Sequence, residues 1–503
     1  MKKSRKAGFI FLAVIAVILI VLFLLGFYAE QQIKKSFDED LSGILTYEEL
    51  DVSVVNRRIT LTRPEINYAE NNMEASEISV DGINYYQYLV NKKIRIGIIE
   101  ITDPEIILRD KEEDSATGDS ESEFEEDIVV NSVEIKNGTL LKTENDTATT
   151  DMFLSLRNFR ITDVSVNAEA MKKKIPFGYD TYNFEVDSLR MELNDQHNFS
   201  TGAFSGDNGN FSIDDLRIIP KYDKVEFQRH IPYEKDRFEL LIKNVSLKDL
   251  SWIFENDSLR LESSLLIVNR GDLEVYRNKL IRDDPRIKTL YSEKLRNMPV
   301  KVDINEIQVK NTKIVYQEKI NEDRPPGEVE FYEVDAEIQD LTNIGMGQED
   351  FPKTKITANA LFHNETPLQI NWEFDISSKT DAFTISGNLE KVSEGAINSF
   401  LRPAMNVEAR GGIESLYFTY SGNDDAAQGD VRIVYTDFKV NVLKDDGTEK
   451  SSFWSAVANL FISNDAVNDD VENNDLEVTR DKNKSFWNYL WLMVREGALA
   501  SFI

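Results

Sequence analysis

From residue 46 onward the chain alternates apolar and polar residues at a period of two, and that pattern commits it to sheet. Ile94, Ile96 and Ile98 alternate, as do Ile370, Trp372, Phe374 and Ile376, then Phe383 and Ile385. Phe438, Val440 and Val442 form a further set. Successive side chains of a strand point to opposite faces, so each set marks a strand with one apolar face. Asn137-Gly138, Asn208-Gly209, Gly422-Asn423 and Asp446-Gly447 read as the turns between strands. Helical patterning is sparse, with its better instances at 84–91, 285–297 and 390–401. The expected fold is mainly β and mostly antiparallel, with a few short helices.

A ten-residue unit recurs within this pattern. Residues 59–68 read ITLTRPEINY and residues 99–108 read IEITDPEIIL, and both fit I-x-[LI]-T-x-P-E-I-x-[YL]. Looser versions stand at 133–142 (VEIKNGTLLK), 266–275 (LIVNRGDLEV) and 307–316 (IQVKNTKIVY). In each, a short strand meets a Pro, Gly or polar break and a second short strand begins. Proline removes a ladder donor, which places it at a bend or an edge. The uneven spacing of the copies excludes a strict solenoid.

The two ends depart from the β pattern. Lys2, Lys3, Arg5 and Lys6 precede an uncharged apolar run at 8–28. At 1.5 Å per residue that run is roughly 31 Å long as a helix, enough to cross a bilayer core. It is longer than a signal-peptide apolar region and lacks a small-x-small ending, so it reads as an uncleaved transmembrane helix. The basic residues ahead of it predict a cytoplasmic tail at 1–7 and translocation of the remainder. Residues 29–45 read as a helical stalk and 46–109 as a membrane-proximal β unit. Residues 110–127 form an acidic, Ser-rich flexible loop, with a second such loop at 463–475. The main β region covers 128–484. Residues 485–503 read as a C-terminal amphipathic helix with Phe486, Leu490, Met493 and Val494 on one face and Trp487 and Trp491 beside it. Two readings of that helix stay open: packed over the end of the sheet, or lying at a membrane–water interface.

Charge and composition exclude several function classes. The chain carries 58 Lys and Arg, four of them ahead of the apolar run, against 89 Asp and Glu. An acidic surface of that size argues against nucleic acid as a partner. With no cysteine, disulfides and thiolate chemistry are excluded. His197, His230 and His363 are far apart in sequence and show no metal-ligand spacing. There is no H-E-x-x-H, G-x-S-x-G or Walker A motif. Gly345-Met346-Gly347 lacks a third glycine, and Asp207-Asn208-Gly209-Asn210 reads as a hairpin turn rather than a calcium loop. No catalytic, cofactor or metal residues are expected, and a protein that is not an enzyme follows.

Several segments together carry a family resemblance. They are SEISVDGINYYQYLVNKKIRIGIIEITDPEIIL (76–108), LRIIPKYDKVEFQRHIPYEKDRF (216–238), the run from LEVYRNKLIRDDPRIKTLY onward at 273–318, GDVRIVYTDFKVNVLK (429–444) and the closing KSFWNYLWLMVREGALASFI. Behind a single N-terminal anchor, these resemble AsmA-like proteins of the Bacteroidota type, within the AsmA/TamB group of envelope proteins. The resemblance implies a cytoplasmic-membrane anchor, a long, curved periplasmic β-sheet forming a groove with an apolar lining, and a role in outer-membrane homeostasis by phospholipid carriage. On that reading Ile94, Ile96, Ile98, Ile370, Trp372, Phe374 and Ile376 are the expected groove lining, and Phe486, Trp487, Leu490 and Trp491 the interfacial helix. The expected partners are the bilayer, phospholipid and other envelope proteins. A non-enzymatic scaffold binding protein partners is the alternative.

Overall fold

The computed structural model describes residues 43–502 apart from 54, 85–86, 88–92, 110–126, 144–149, 172, 256–257 and 444–467. The expected transmembrane helix (8–28), most of the stalk (29–45), the acidic loop except its last residue and the Asp446-Gly447 turn therefore lie outside the described residues. So does nearly all of the helical stretch at 84–91. Among the described residues no helix is long and apolar enough to cross a membrane. The chain divides into two compact units, one of residues up to 194 with 198–215, the other of 195–197 with 216 onward.

The first unit begins with short strands: β1 (Leu45–Thr46), β2 (Glu49–Ser53), β3 (Arg58–Thr62), β4 (Glu65–Tyr68), β5 (Asn71–Glu74), β6 (Glu77–Asp81), β7 (Lys93–Thr102) and β8 (Glu105–Arg109). Longer strands follow in β9 (Asp127–Thr143), β10 (Thr150–Val166) and β11 (Tyr182–Asn194), then β12 (His197–Thr201), β13 (Phe204–Asp207) and β14 (Asn210–Pro220), of which His197 and residues 216–220 count with the second unit. Most pairings are antiparallel, but β7 and β8 both run parallel to β9. The sheet is therefore mixed rather than purely antiparallel. A parallel pair needs a crossover, and residues 110–126 lie on the one between β8 and β9.

The recurrent ten-residue unit explains how these strands bend. In all five copies the fifth residue has a positive φ: Arg63 (45°), Asp103 (49°), Asn137 (53°), Arg270 (56°) and Asn311 (48°). Asn137-Gly138 is thus a kink inside β9 and not the hairpin turn its sequence promised. The kinks of the first three copies stand in one row. Arg63 donates its N–H to the Ser76 carbonyl at 2.9 Å, Ser76 to that of Thr102 at 3.0 Å, and Asp103 to that of Lys136 at 2.8 Å.

The kink has a consequence for the faces. Apolar residues occupy positions one and three before it and eight and ten after it: Ile59, Leu61, Ile66 and Tyr68 in the first copy, Ile99, Ile101, Ile106 and Leu108 in the second. Third to eighth is an odd step, which in a straight strand would turn the second pair to the other face. The left-handed residue adds the extra half-period, as a bulge does. All eight side chains accordingly meet in one apolar cluster, together with Val133 and Ile135 of the third copy.

The second unit continues in chain order through β15 (Arg237–Lys248), β16 (Ser251–Glu255), β17 (Ser258–Asn278), β18 (Lys301–Lys319), β19 (Gly327–Thr342), β20 (Thr354–Phe362), β21 (Thr366–Phe374), β22 (Phe383–Val392), β23 (Val407–Gly422), β24 (Ala426–Val442) and β25 (Asn468–Thr479). From β17 to β25 each strand pairs with the next. Only β17 and β18 are parallel, and they align the fourth and fifth copies of the unit residue for residue, with Leu266 beside Ile307 and Leu273 beside Ile314. The helical stretch expected at 285–297 shortens to Tyr291–Arg296, and the one expected at 390–401 begins later, as Glu394–Phe400 running on into a wider helical turn at Leu401–Met405. The latter is capped by Ser393, whose Oγ accepts from the Ala396 N–H at 3.1 Å. The acidic stretch at 463–475, expected to be a loop, contributes most of β25 instead. Pairing with β24 supplies the ladder that its composition does not predict. Phe486–Phe502 forms a helix, here called the aromatic helix.

Candidate apolar binding face

Each unit carries an apolar sheet face that its own packed cluster does not close. In the first unit, one row across β9, β10, β11, β13 and β14 reads Ile135, Phe159, Phe184, Gly206, Phe211. The next row reads Gly138, Leu156, Val186, Phe204, Ile213. The opposite side of β11 carries the exposed Asn183, Glu185, Asp187 and Arg190, with Arg157 of β10 paired to Asp187. The aromatic side is only half-buried at Phe159, Phe184, Phe204 and Phe211, and none of the four joins the packed cluster of β1 to β9. Phe184 meets Phe204 edge-on at 5.6 Å and Phe211 at 5.8 Å.

The second unit repeats the arrangement on a longer scale. One row runs Leu247, Leu266, Ile307, Ile338, Ile356, Trp372, Ile385, Tyr420 from β15 to β23. Beside it, on the same face, run Val245, Val268, Val309, Ala336, Ala358, Ile370, Gly387, Phe418. Burial is uneven along these rows. At β22 and β23, Ile385, Tyr420 and Phe418 are buried, whereas at the other end Val245 and Ile307 are buried but Leu247, Leu266 and Ile338 are half-buried, all five outside the packed cluster.

The difference is the aromatic helix. Its Phe486, Tyr489 and Met493 are buried against Phe374, Phe383 and Tyr420. Phe486 stacks on Trp372 with ring centroids 4.6 Å apart and planes 5° from parallel. The Tyr420 hydroxyl donates to the Met493 carbonyl at 2.7 Å, and burial pushes that phenol's pKa up. At Gly497 a Cβ would come within 2.3 Å of Val431, so only glycine lets the helix lie this close to β24. The segment ahead of the helix is held by charge. Arg480 is fully buried, paired to Asp424 and hydrogen-bonded to the Lys288 carbonyl, and Lys484 reaches Asp283 at 2.9 Å.

The residues expected to line a groove are distributed between closed and open surfaces. Ile94 and Ile96 are 0 % and 2 % exposed inside the packed cluster of the first unit, while Ile98 is 41 % exposed on the other face. The alternation slips at Gly97, where a Cβ would stand 3.0 Å from the Asp81 carbonyl oxygen. Phe374 and Ile376 are buried in the second unit's cluster, and Ile370 and Trp372 pack against it. On the aromatic helix, Phe486 faces the sheet, Leu490 packs partly against the cluster, and Trp487 and Trp491 remain 58 % and 40 % exposed. Of the two readings, packing over the sheet is realised, with both tryptophans on the outer side. Phe159, Phe184, Leu266 and Ile338 were not singled out from the sequence. Their alternation was readable, but their partial burial depends on what fails to pack over them.

One side-chain constellation was invisible in the sequence. Ser399 Oγ lies 2.9 Å from His363 Nε2, and His363 Nδ1 lies 3.7 Å from a Glu330 oxygen. The spacing resembles a nucleophile–base–acid set, but the surroundings of Ser399 oppose that use. Its hydroxyl is 2.8 Å from the Ala396 carbonyl oxygen and 3.0 Å from that of Glu328. Two carbonyls thus compete with the imidazole for the single hydroxyl proton, which is not reserved for His363 as a nucleophile–base pair requires. Carbonyl oxygens also repel the negative charge that an attacked substrate would develop, where catalysis requires N–H donors. The set fastens the β20–β21 turn to the helix Glu394–Phe400. The other histidines stack on rings, His197 on Phe238 at 4.2 Å and His230 on Tyr222 at 3.8 Å. Among the described residues no group of three or more His, Cys, Asp or Glu is placed to hold a metal ion. No protein-family model matches this chain, and no curated protein matches it.

Proposed function

We propose that this chain is a membrane-anchored, non-enzymatic periplasmic protein that binds or carries phospholipid on its apolar sheet faces and contributes to outer-membrane homeostasis. The observation that carries the proposal is the pair of apolar faces with half-buried residues, Phe159, Phe184 and Phe211 in the first unit and Leu247, Leu266 and Ile338 in the second. Exposed contiguous apolar surface marks a site where something apolar binds. Each acyl CH₂ moved from water onto such a face gains about 0.8 kcal/mol, so a chain of ordinary length is held without a specific polar contact. The resemblance to AsmA-like proteins and the apolar run at 8–28 support the same reading. The outward Trp487 and Trp491 suit a membrane–water boundary.

The test is mass spectrometry of lipid copurifying with the full chain, extracted in mild detergent. Bound phospholipid is expected, with a marked loss in Phe184→Glu and Ile338→Glu and none in the outer-face control Glu185→Gln. Lipid-free protein, or lipid retained equally by all variants, defeats the proposal. The scaffold alternative draws on β25, a strand rich in Asp and Glu that pairs with β24 alone among the described strands. Crosslinking that recovers one stable protein partner, lost on neutralising Glu472 and Glu477, would favour it.

A further inference from the structure

We infer that the aromatic helix is a displaceable stopper on the second unit's apolar face, and that a phospholipid acyl chain advancing along that face takes its place. The inference rests on the lipid-binding reading and adds where the bound chain stops and what must move for it to go further. The face is continuous in register from β15 to β23, yet the helix covers only its later part. An acyl chain lying over Leu247, Leu266 and Ile338 meets Phe486 where that ring stacks on Trp372. The surface beneath the helix (Trp372, Phe383, Phe418, Tyr420) has the same apolar chemistry as the uncovered surface before it. Helix and acyl chain therefore compete for one kind of site.

Two features distinguish this contact from permanent core. The Trp372 Nε1 and the Tyr489 hydroxyl are buried without a hydrogen-bond partner, so docking leaves two polar groups unsatisfied that undocking would return to water. The attachments are also segregated. The ionic contacts of Arg480, Lys482 and Lys484 hold the segment before the helix, whereas the helix itself is attached by apolar packing together with neutral hydrogen bonds, Tyr420 to the Met493 carbonyl and Trp487 to the Tyr291 hydroxyl. Lifting the helix from Ser485 onward leaves the tether in place. The contact that sets its closeness is Gly497 on Val431, so Gly497→Leu forces the docked position open without changing any residue of the face itself.

The experiment is hydrogen exchange on the full chain in amphipol, with and without a fluorescently labelled phosphatidylethanolamine, alongside titration of that lipid. Lipid is expected to speed exchange across 486–502 about tenfold or more while 480–484 keeps its protection. Gly497→Leu should show fast exchange in the helix without lipid and bind the probe several-fold more tightly, in line with removal of a competitor. Phe486→Ala, which loosens the same contact from its other end, should move in the same direction. Wild-type protein that binds the lipid with helix exchange unchanged or slowed overturns the stopper and leaves the binding face standing. Equal probe affinity in wild type and both variants does the same. Wild-type protein that binds no lipid defeats the lipid reading, and the stopper with it.

Discussion

Asn137 donates from Nδ2 to Oδ1 of Asp103 at 3.2 Å, joining two residues that are both held in the left-handed region, at φ 53° and 49°. Each is the fifth residue of its ten-residue unit, and the parallel β7–β8/β9 pairing brings the two kinks side by side. Asn and Asp tolerate this conformation better than other non-glycine residues because their short polar side chains bond locally. Here the local bond is to each other.

Asn137 should therefore accept glycine and refuse a β-branched residue. Asn137→Gly loses the cross-strand bond and relieves backbone strain, for a net change within about 1 kcal/mol. Asn137→Val keeps the strain and adds a branched Cβ, costing about 2 kcal/mol or more. Chemical denaturation of the two variants checks the order. Equal stability would mean that the kink is not required.

Two glycines sit in the apolar rows where a ring from a neighbouring strand covers the space. A Cβ at Gly206 would lie 2.5 Å from the Phe184 ring, and one at Gly387 would lie 2.7 Å from that of Phe418. Gly206→Val must push Phe184 off its position, at a cost of about 1–3 kcal/mol. Because Phe184 lies on the open face, Gly206→Val should also reduce copurifying lipid. Gly387→Val acts where Phe418 is already buried under the closed cluster and should cost stability alone. Thermal unfolding with lipid quantitation separates the two.

The Arg480–Asp424 pair predicts an asymmetry. Arg480 is fully buried, while Asp424 is partly exposed and also paired with Lys482 at 2.9 Å. Asp424→Asn leaves a buried cation without its counter-charge and should cost about 3 kcal/mol or more. Arg480→Met leaves Asp424 with Lys482 and should cost less. Denaturation midpoints in the reverse order would refute the assignment of Arg480 as the dependent partner.

Acidification should weaken the fold in two steps. Burial lowers the pKa of His197 and His363 below the ordinary 6.5, so the unfolded chain binds their protons first. Stability from these groups is complete above about pH 6.5 and falls as pH drops from there toward the folded-state values. Hydrogen bonds from Arg286 and Lys288 hold the Asp284 carboxyl well below its ordinary 3.8, so its contribution is lost only as pH falls below about 4. Melting temperature between pH 8 and pH 5 should show the first step. In His363→Gln that slope should be shallower.

The sequence by itself determined the kind of secondary structure, because alternation, turn residues and the ten-residue unit are local. It marked a break within each unit at its Pro, Gly or polar residues, but not which residue turns left-handed, and Asn137-Gly138 reads locally as a hairpin turn and proves to lie inside a strand. The slip at Gly97 is the opposite case: period two puts Ile94, Ile96 and Ile98 on one face, and the structure turns Ile98 out to the other. Tertiary structure alone decided which apolar faces are closed. Ile94 and Ile338 sit in equally alternating strands, and one is sealed while the other is half-buried. The reason is that burial depends on what packs above a face, and those partners come from distant strands or from the aromatic helix. Parallel crossovers, the paired state of the acidic β25 and the meeting of Ser399 with His363 and Glu330 belong to that second class. Each depends on segments far apart in the chain, and no local pattern encodes their contact.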